Sequence, residues 1–304
     1  MRRLAGSDRN AATLFALLAA VLYAANAPLS KLLLEDIAAT MMAALLYLGA
    51  GAGLAIVWLV QKGIGIAAKE QPYARADLPY IVGVVLLDIA APIFLMLGLA
   101  RTSAAGVSLL NNFEIVATSV IALAVFKESI SKRLWLAIAL VTLSSMILSL
   151  DGIGSLTFSW GSLLVLAACV CWGFENNCTR KLSHKDPIKV VMIKGFFSGL
   201  GSLTIALSRG EAATDAAYIP AALLLGFFSY GLSILCYILV QRKLGAAKTA
   251  AFYAVAPFAG VLLSFLLFRE PPGTAFLAAL GIMLVGAYLS ATDHLEQHPV
   301  KPSA

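Results

Sequence analysis

Residues 115–128 read IVATSVIALAVFKE, and residues 257–270 read PFAGVLLSFLLFRE. Each is an apolar stretch closed by a base and a glutamate. Lys127-Glu128 ends the first, and Arg269-Glu270, 142 residues later, ends the second. Working outward, each pair closes one half of an almost wholly apolar sequence, and each half reads as five hydrophobic segments. An odd number of segments per half turns the second half over relative to the first. Inverted repeats of this kind are an architecture of secondary transporters, with the substrate site near the bilayer midplane between the halves.

Composition agrees. Hydrophobic residues make up 61% of the 304, charged residues 12%, and the mean hydropathy is +0.90, far from the balance of a water-soluble domain. A hydrocarbon core needs roughly 20 mostly apolar residues per helical span. The chain supplies ten such runs, near 13–34, 38–60, 78–100, 102–126, 133–150, 159–181, 188–208, 217–240, 245–268 and 273–291. Membrane barrels show segments of about ten alternating residues instead. The expected fold is an all-α membrane protein, ten transmembrane helices in two inverted five-helix repeats, residues 1–151 and 152–304. The longest connection, Gln61 to Asp77, leaves no room for a soluble domain.

Orientation follows from the bases, which concentrate in cytoplasmic loops. Arg2, Arg3, Arg9, Lys62, Lys69, Arg75, Lys127, Lys132, Arg133, Arg180 to Lys189, Arg242, Lys243, Lys248 and Lys301 fall on one side. Lys31, Arg101, Arg209 and Arg269 fall on the other. Both termini are therefore expected in the cytoplasm, with the chain in the cytoplasmic membrane. The net charge of +6 and pI near 9.2 reflect that topology and give no reason to expect nucleic-acid binding. Arg2-Arg3, an apolar stretch and Ala25-Asn26-Ala27 imitate a signal peptide. Removing them would break the alignment of Tyr23 through Lys31 with Trp172 through Arg180. Cys169, Cys171, Cys178 and Cys236 lie inside apolar runs without metal-ligand spacing and read as small buried hydrophobes.

The segment Pro257 to Glu270, followed by Gly281 and Gly286, resembles the half-closing pattern of the drug/metabolite transporter superfamily, EamA-type branch. Trp172-Gly173-Phe174-Glu175-Asn176 to Arg180-Lys181 is similar to its half-opening pattern. The resemblance covers nearly the whole chain. It implies a ten-helix transporter of amino acids, drugs, nucleotide sugars or other small metabolites; no His, Cys or Asp cluster of catalytic spacing occurs in the sequence, so no enzymatic activity is expected. The chain departs from the pattern at Ile115, where Pro257 has its counterpart, and at Ala139 and Ser144, counterparts of Gly281 and Gly286. The missing proline leaves open whether the fourth helix is kinked like the ninth, and Glu114 stands where the pattern leads one to expect no carboxylate.

Function is sought among intramembrane polar residues, because a charge at bilayer depth is costly and turns toward a cavity or a partner. Asp88, Glu114 and Glu175 are the acids. Helical rotation aligns Ser108, Asn111, Glu114 and Thr118 on one stripe, and Cys169, Trp172, Glu175, Asn176 and Thr179 on another. Tyr23, Asn26 and Ser30, then Tyr230, Ser233, Tyr237 and Gln241, then Thr249, Tyr253, Gly260 and Ser264 complete the polar faces. Substrate or proton binding is accordingly assigned to Glu114, Asp88, Glu175, Asn111, Asn26, Tyr23, Trp172, Asn176, Tyr230 and Tyr253, with Glu114 foremost.

Each has a plainer reading. Asp88 could be a structural carboxylate, and Glu175 a partner of Arg180 or Lys181. Asn26 and Asn176 could hydrogen-bond neighbouring helices, and Trp172 and Tyr253 could be packing aromatics. Lys194 reads as a snorkelling base near a helix end, and Glu128 and Glu270 as structural anchors. Three buried acids with aromatic neighbours favour a cationic or zwitterionic, amine-like or amino-acid-like substrate, and the same acids could exchange protons. Compatible partners are a small-molecule substrate, the lipid bilayer, a coupling proton and a second copy of the chain. No cofactor or metal is expected, and the three histidines (His184, His294, His298) lie in loops or the tail. The alternatives are a membrane-embedded enzyme or a non-transporting scaffold.

Overall fold

The computed structural model describes residues 6–65, 72–126, 131–149, 159–182, 184–244, 256–269 and 272–291. Lys127, Glu128, Thr249, Tyr253, Glu270 and the expected boundary between residues 151 and 152 lie outside them. Among the described residues the regular structure is helical, apart from one isolated bridge between Ile37 and Ala213. The α-helices in chain order are α1 (Gly6–Ala24), α2 (Asn26–Leu33), α3 (Ala39–Gly63), α4 (Leu78–Leu99), α5 (Ala104–Leu110), α6 (Phe113–Phe126) and α7 (Lys132–Ser149). They continue with α8 (Trp160–Leu182), α9 (Pro187–Ile193), α10 (Gly199–Ser208), α11 (Tyr218–Gly226), α12 (Ser233–Leu244), α13 (Ala256–Phe268) and α14 (Thr274–Ala291).

Five rods are long and apolar enough to cross a membrane: Ala39–Gly63, Arg75–Leu99, Ala104–Val125, Pro187–Ser208 and Tyr218–Val240. Leu17–Leu33, Ala256–Phe268 and Thr274–Leu289 are shorter apolar helices. The molecule is apolar on its outside, where Ile56, Leu86, Leu207, Leu262 and Leu266 are each more than 60% exposed. Its interior holds buried Asp88, Ser198, Ser202, Ser229, Ser233 and Lys194. This is the reverse of a water-soluble protein, and an apolar surface of that extent marks contact with lipid or protein.

Helices from before residue 150 pack mainly on helices from after residue 159. The pairings are α1 on α12 and α13, α3 on α10 and α11, α4 and α6 on α8, α5 on α13, and α7 on α14. The α7–α14 seam explains one departure noted in the sequence. Ser144 Oγ donates to the Ala279 carbonyl at 2.7 Å, and a Cβ on Gly286 would lie 2.9 Å from Val141 Cγ2. Gly281 and Ala139, by contrast, are exposed, so they play no part in that seam.

Helix α3 is the axis of the bundle because its glycines let two other helices touch its backbone. A Cβ on Gly49 would fall 2.0 Å from the Leu223 carbonyl oxygen, and one on Gly51 2.9 Å from the Phe196 nitrogen. In return, Gly195 abuts Gly51 and Gly226 abuts Leu46. Each partner widens into a π-turn beside this contact, Lys194–Ser198 between α9 and α10 and Phe227–Leu232 between α11 and α12. Single π-turns inside α-helices concentrate at functional positions. Gly226→Ala, whose methyl would meet the Leu46 carbonyl oxygen at 2.0 Å, is expected to cost about 1–3 kcal/mol by overpacking. Gly281→Ala, which meets nothing within 4 Å, should be neutral or stabilising by up to ~1 kcal/mol through helix propensity. Thermal unfolding in detergent would compare them, and equal melting temperatures would contradict the backbone contact.

The bundle is fastened near the start of α4 and at the start of α3. At the α3–α4 connection, Lys185 Nζ pairs with Asp77 Oδ2 at 2.8 Å and donates to the Pro72 carbonyl at 2.8 Å. Its ammonium lies 5.7 Å from the Tyr73 ring centre. Burial, with Asp186 and Asp77 adding to it, pushes the Tyr73 phenol up to about 12, so the phenol stays neutral. At the opposite end Glu211 accepts from the Thr40 backbone N–H at 2.9 Å and from the Thr40 hydroxyl at 3.0 Å, capping the start of α3. Lys31 donates there to the Leu99 and Thr102 carbonyls at 2.6 and 3.0 Å, satisfying the end of α4.

Candidate functional site

The centre of the bundle is built on Asp88, in mid-α4 and fully buried. The Tyr47 hydroxyl, from α3, donates to its Oδ1 at 2.7 Å. Lys194 Nζ lies 3.3 Å from its Oδ2. The same ammonium donates to Glu175 Oε1, on α8, at 2.9 Å, and the Thr179 hydroxyl one turn on donates to that oxygen too. Lys194 is 4% exposed and Glu175 3%. Asp88, Lys194 and Glu175 therefore form a buried bridge across three helical elements.

This corrects two readings of the sequence. Lys194 does not snorkel: it follows Pro187 by seven residues, about 10 Å at 1.5 Å per residue, too deep to reach the helix end. Glu175 pairs with Lys194, whereas Arg180 and Lys181 at the end of α8 are exposed or nearly so.

Glu175 and Asn176 are neighbours in sequence and so point about 100° apart on α8. Glu175 faces the π-turn, and Asn176 faces α6. There Asn176 Nδ2 donates to Glu114 Oε1 at 2.6 Å and to Thr118 Oγ1 at 3.3 Å. Asn177 Nδ2 donates to the Thr118 and Gly173 carbonyls at 3.2 and 2.8 Å. The approach depends on Gly173, where a Cβ would stand 2.7 Å from Ala117 Cβ and 2.9 Å from the Thr118 nitrogen.

The expected stripe on the fourth apolar run divides. Between α5 and α6 the chain tightens at Asn111-Asn112, where Asn112, Glu114 and Ile115 donate to carbonyls three residues back, a 3₁₀ pattern. Asn112 Nδ2 also takes the Leu109 carbonyl at 3.3 Å. The run is thus broken without a proline. Glu114 and Thr118 turn to α8, while Ser108 and Asn111 turn to α13.

Ser108 and Asn111 line a small pocket with Tyr23, Ala24, Ala27, Ala256, Pro257 and Gly260, with room for about one water molecule. Ser108 Oγ and Asn111 Oδ1 are buried there without a hydrogen-bond partner among the described residues. Tyr23 stands edge-on to Tyr230, ring centres 6.4 Å apart, and Tyr230 packs on Tyr47 at 5.0 Å. Asn26 Nδ2 donates to the Tyr230 hydroxyl at 3.2 Å, and Ser30 Oγ donates to Asn26 Oδ1 at 3.1 Å. An aromatic and hydrogen-bonded chain thus runs from the pocket through Tyr230 and Tyr47 to Asp88.

Of the residues singled out from sequence, Asp88 and Glu175 meet through Lys194, Glu114 meets Asn176, and Tyr23, Asn26 and Tyr230 form one group. Asn111 sits in the pocket, apart from the carboxylates. Trp172 is 6% exposed and packs in the core one turn before Glu175. Tyr253 lies outside the described residues. Sequence reasoning missed Tyr47 and the pairing of Lys194. Tyr47 carries the one hydroxyl between Thr40 and Gln61 in an otherwise apolar run, a signal that it needs a buried partner.

Comparison with known proteins gives a consistent outcome. The sequence model of the EamA-like transporter family matches residues 10–150 and again residues 159–292. A protein of Methanothermobacter thermautotrophicus described as an uncharacterized transporter is 27% identical over 210 residues, covering 67% of this chain and 61% of that relative. The Bacillus subtilis protein described as uncharacterized transporter YyaM is 20% identical over 226 residues, covering 71% of this chain and 72% of that one. A crystal structure with 18% identity superposes with a TM-score of 0.66, covering 92% of this chain and 95% of the other, a likeness of fold.

Proposed function

Because this chain belongs to the EamA-like transporter family, a family of multi-pass membrane proteins, we propose that it is a secondary transporter of a small organic solute. The cargo is cationic or zwitterionic, amine-like or amino-acid-like, and moves across the cytoplasmic membrane by alternating access. The chain carries ten spans in two inverted repeats, residues 1–151 and 152–304, with both termini in the cytoplasm. A proton gradient drives it, and the protein is not an enzyme.

One observation carries this reading. Asp88 and Glu175 come from α4 and α8 into one buried region of an otherwise apolar bundle and share the buried ammonium of Lys194, while the half-buried Glu114 of α6 adjoins them through Asn176. Charges at such depth are expensive and line substrate or proton routes. Two buried acids on one base leave a place for one more positive charge, a proton or the headgroup of a cargo. Tyr23, Asn26, Asn111, Trp172, Asn176 and Tyr230 shape the approach, the aromatic rings adding attraction for an ammonium of about 0.5–2 kcal/mol; Tyr253 is assigned to the same role from sequence alone.

The test is uptake into proteoliposomes of radiolabelled amines and amino acids under an imposed pH gradient. Concentrative uptake that collapses with a protonophore is the expected result, and a protein inert to every probe in both gradient directions would refute the proposal. Topology is checked separately by reporter fusions at Met1 and Ala304. A phosphatase fused at Ala304 should be silent, and activity outside the cell would overturn the ten-span count.

A further inference from the structure

Lys194 has a geometry that the carboxylates alone do not require. It opens the π-turn, and the next residue, Gly195, lies against the backbone of Gly51 on α3. Asp88 faces its ammonium from α4 and Glu175 from α8, with the Tyr47 hydroxyl of α3 behind Asp88. Glu114 of α6 is held on the adjoining face of α8 by Asn176. The hold is uneven. Glu175 receives a hydrogen bond at 2.9 Å, but Asp88 Oδ2, at 3.3 Å, receives none of good geometry. A bridge made only for rigidity would balance its charges and satisfy both oxygens. This one places a flexible point charge, loosely held on one side, between two acids carried by different packed helices.

We propose that Lys194 is the transporter's built-in counter-ion: with no cargo bound, its ammonium and one proton together neutralise the Asp88–Glu175 pair so that the empty protein can reorient, and the cationic group of the cargo takes the place of the ammonium on loading. This rests on the transport reading above. Its physical ground is that a packed apolar bundle does not rearrange readily around an uncompensated carboxylate. A loaded site brings its own cation, whereas an empty site must be given one. Lys194 is thus a positioning residue that governs the empty half of the cycle, and the π-turn beneath it supplies backbone slack for the ammonium to swing aside.

The prediction separates two kinds of flux. Proteoliposomes are loaded with methylamine, putrescine or arginine, and radiolabelled probe is followed in exchange and in net efflux into probe-free buffer. Exchange needs only loaded carriers to reorient, whereas net efflux also needs the empty one to return. For Lys194→Gln, net efflux is expected to fall at least about tenfold while exchange stays within about threefold of wild type. Asp88→Asn/Lys194→Gln removes one acid with one base and leaves the formal charge of the cluster unchanged. Whatever the loss of Asp88 does to binding, its ratio of net efflux to exchange should return to within about threefold of wild type, which keeps the idea testable where the single variant folds poorly.

Wild-type net efflux in Lys194→Gln, or a folded double variant that exchanges without net efflux, would overturn the counter-ion role alone. Loss of exchange and efflux together in folded Lys194→Gln would overturn it too, assigning Lys194 to cargo binding. A wild-type protein silent toward every probe would sink the transport reading and this one with it.

Discussion

Lys194→Ala should lower folding stability by about 3–5 kcal/mol, the range for breaking a buried ion pair by removing one partner. The alanine leaves Asp88 and Glu175, 0% and 3% exposed, facing each other across a void with no cation between them. Lys194→Gln keeps most of the chain length and two N–H donors and should cost a fraction of that. Unfolding in detergent compares the variants. A deficit of Lys194→Ala under about 1 kcal/mol would mean that the bridge contributes little.

The all-helical, membrane-type fold was legible because it rests on properties each helix carries alone. Apolar length marks the runs. The recurrence of one pattern in the two halves pointed to the family whose sequence model matches each half. The partners of the buried charges were not legible, because a pairing is a property of two or three helices at once. Nothing within α9 and α10 tells a lysine buried against acids from one that snorkels. The difference lies in Asp88 and Glu175, 106 and 19 residues away in sequence.

The 3.6-residue stripe failed where local chemistry broke its period. Asn112 gives the backbone an amide side chain to bond with instead of a regular turn, so Ser108 and Asn111 part from Glu114. Absence of proline was thus a poor guide to straightness. Glycines mattered in pairs that sequence cannot match, such as Gly51 with Gly195, and in contacts such as Gly173 on Ala117. Pattern marks a glycine as permissive but does not say which backbone comes to meet it.

Glu114→Gln is expected to have the largest effect on transport. The carboxylate stands in the middle of the fourth run and accepts one amide N–H, from Asn176 at 2.6 Å, where Glu175 accepts an ammonium. A glutamine there keeps the shape and can still accept that bond through its Oε1, so folding should change by less than about 1 kcal/mol. What it loses is the exchangeable charge. If Glu114 binds the coupling proton or the cationic headgroup, gradient-driven uptake should fall by at least about tenfold, and what remains should lose its pH dependence. Glu114→Asp, which retains the charge on a shorter arm, should keep the pH dependence while weakening apparent affinity. That contrast separates charge from packing, because a merely structural role would make the shorter side chain the more damaging of the two. Should Glu114→Gln transport at the wild-type rate with an unchanged pH profile, Glu114 serves only to fasten α6 to α8. The proton and cargo then belong to Asp88 and Glu175 around Lys194, where the same substitution pair can be repeated.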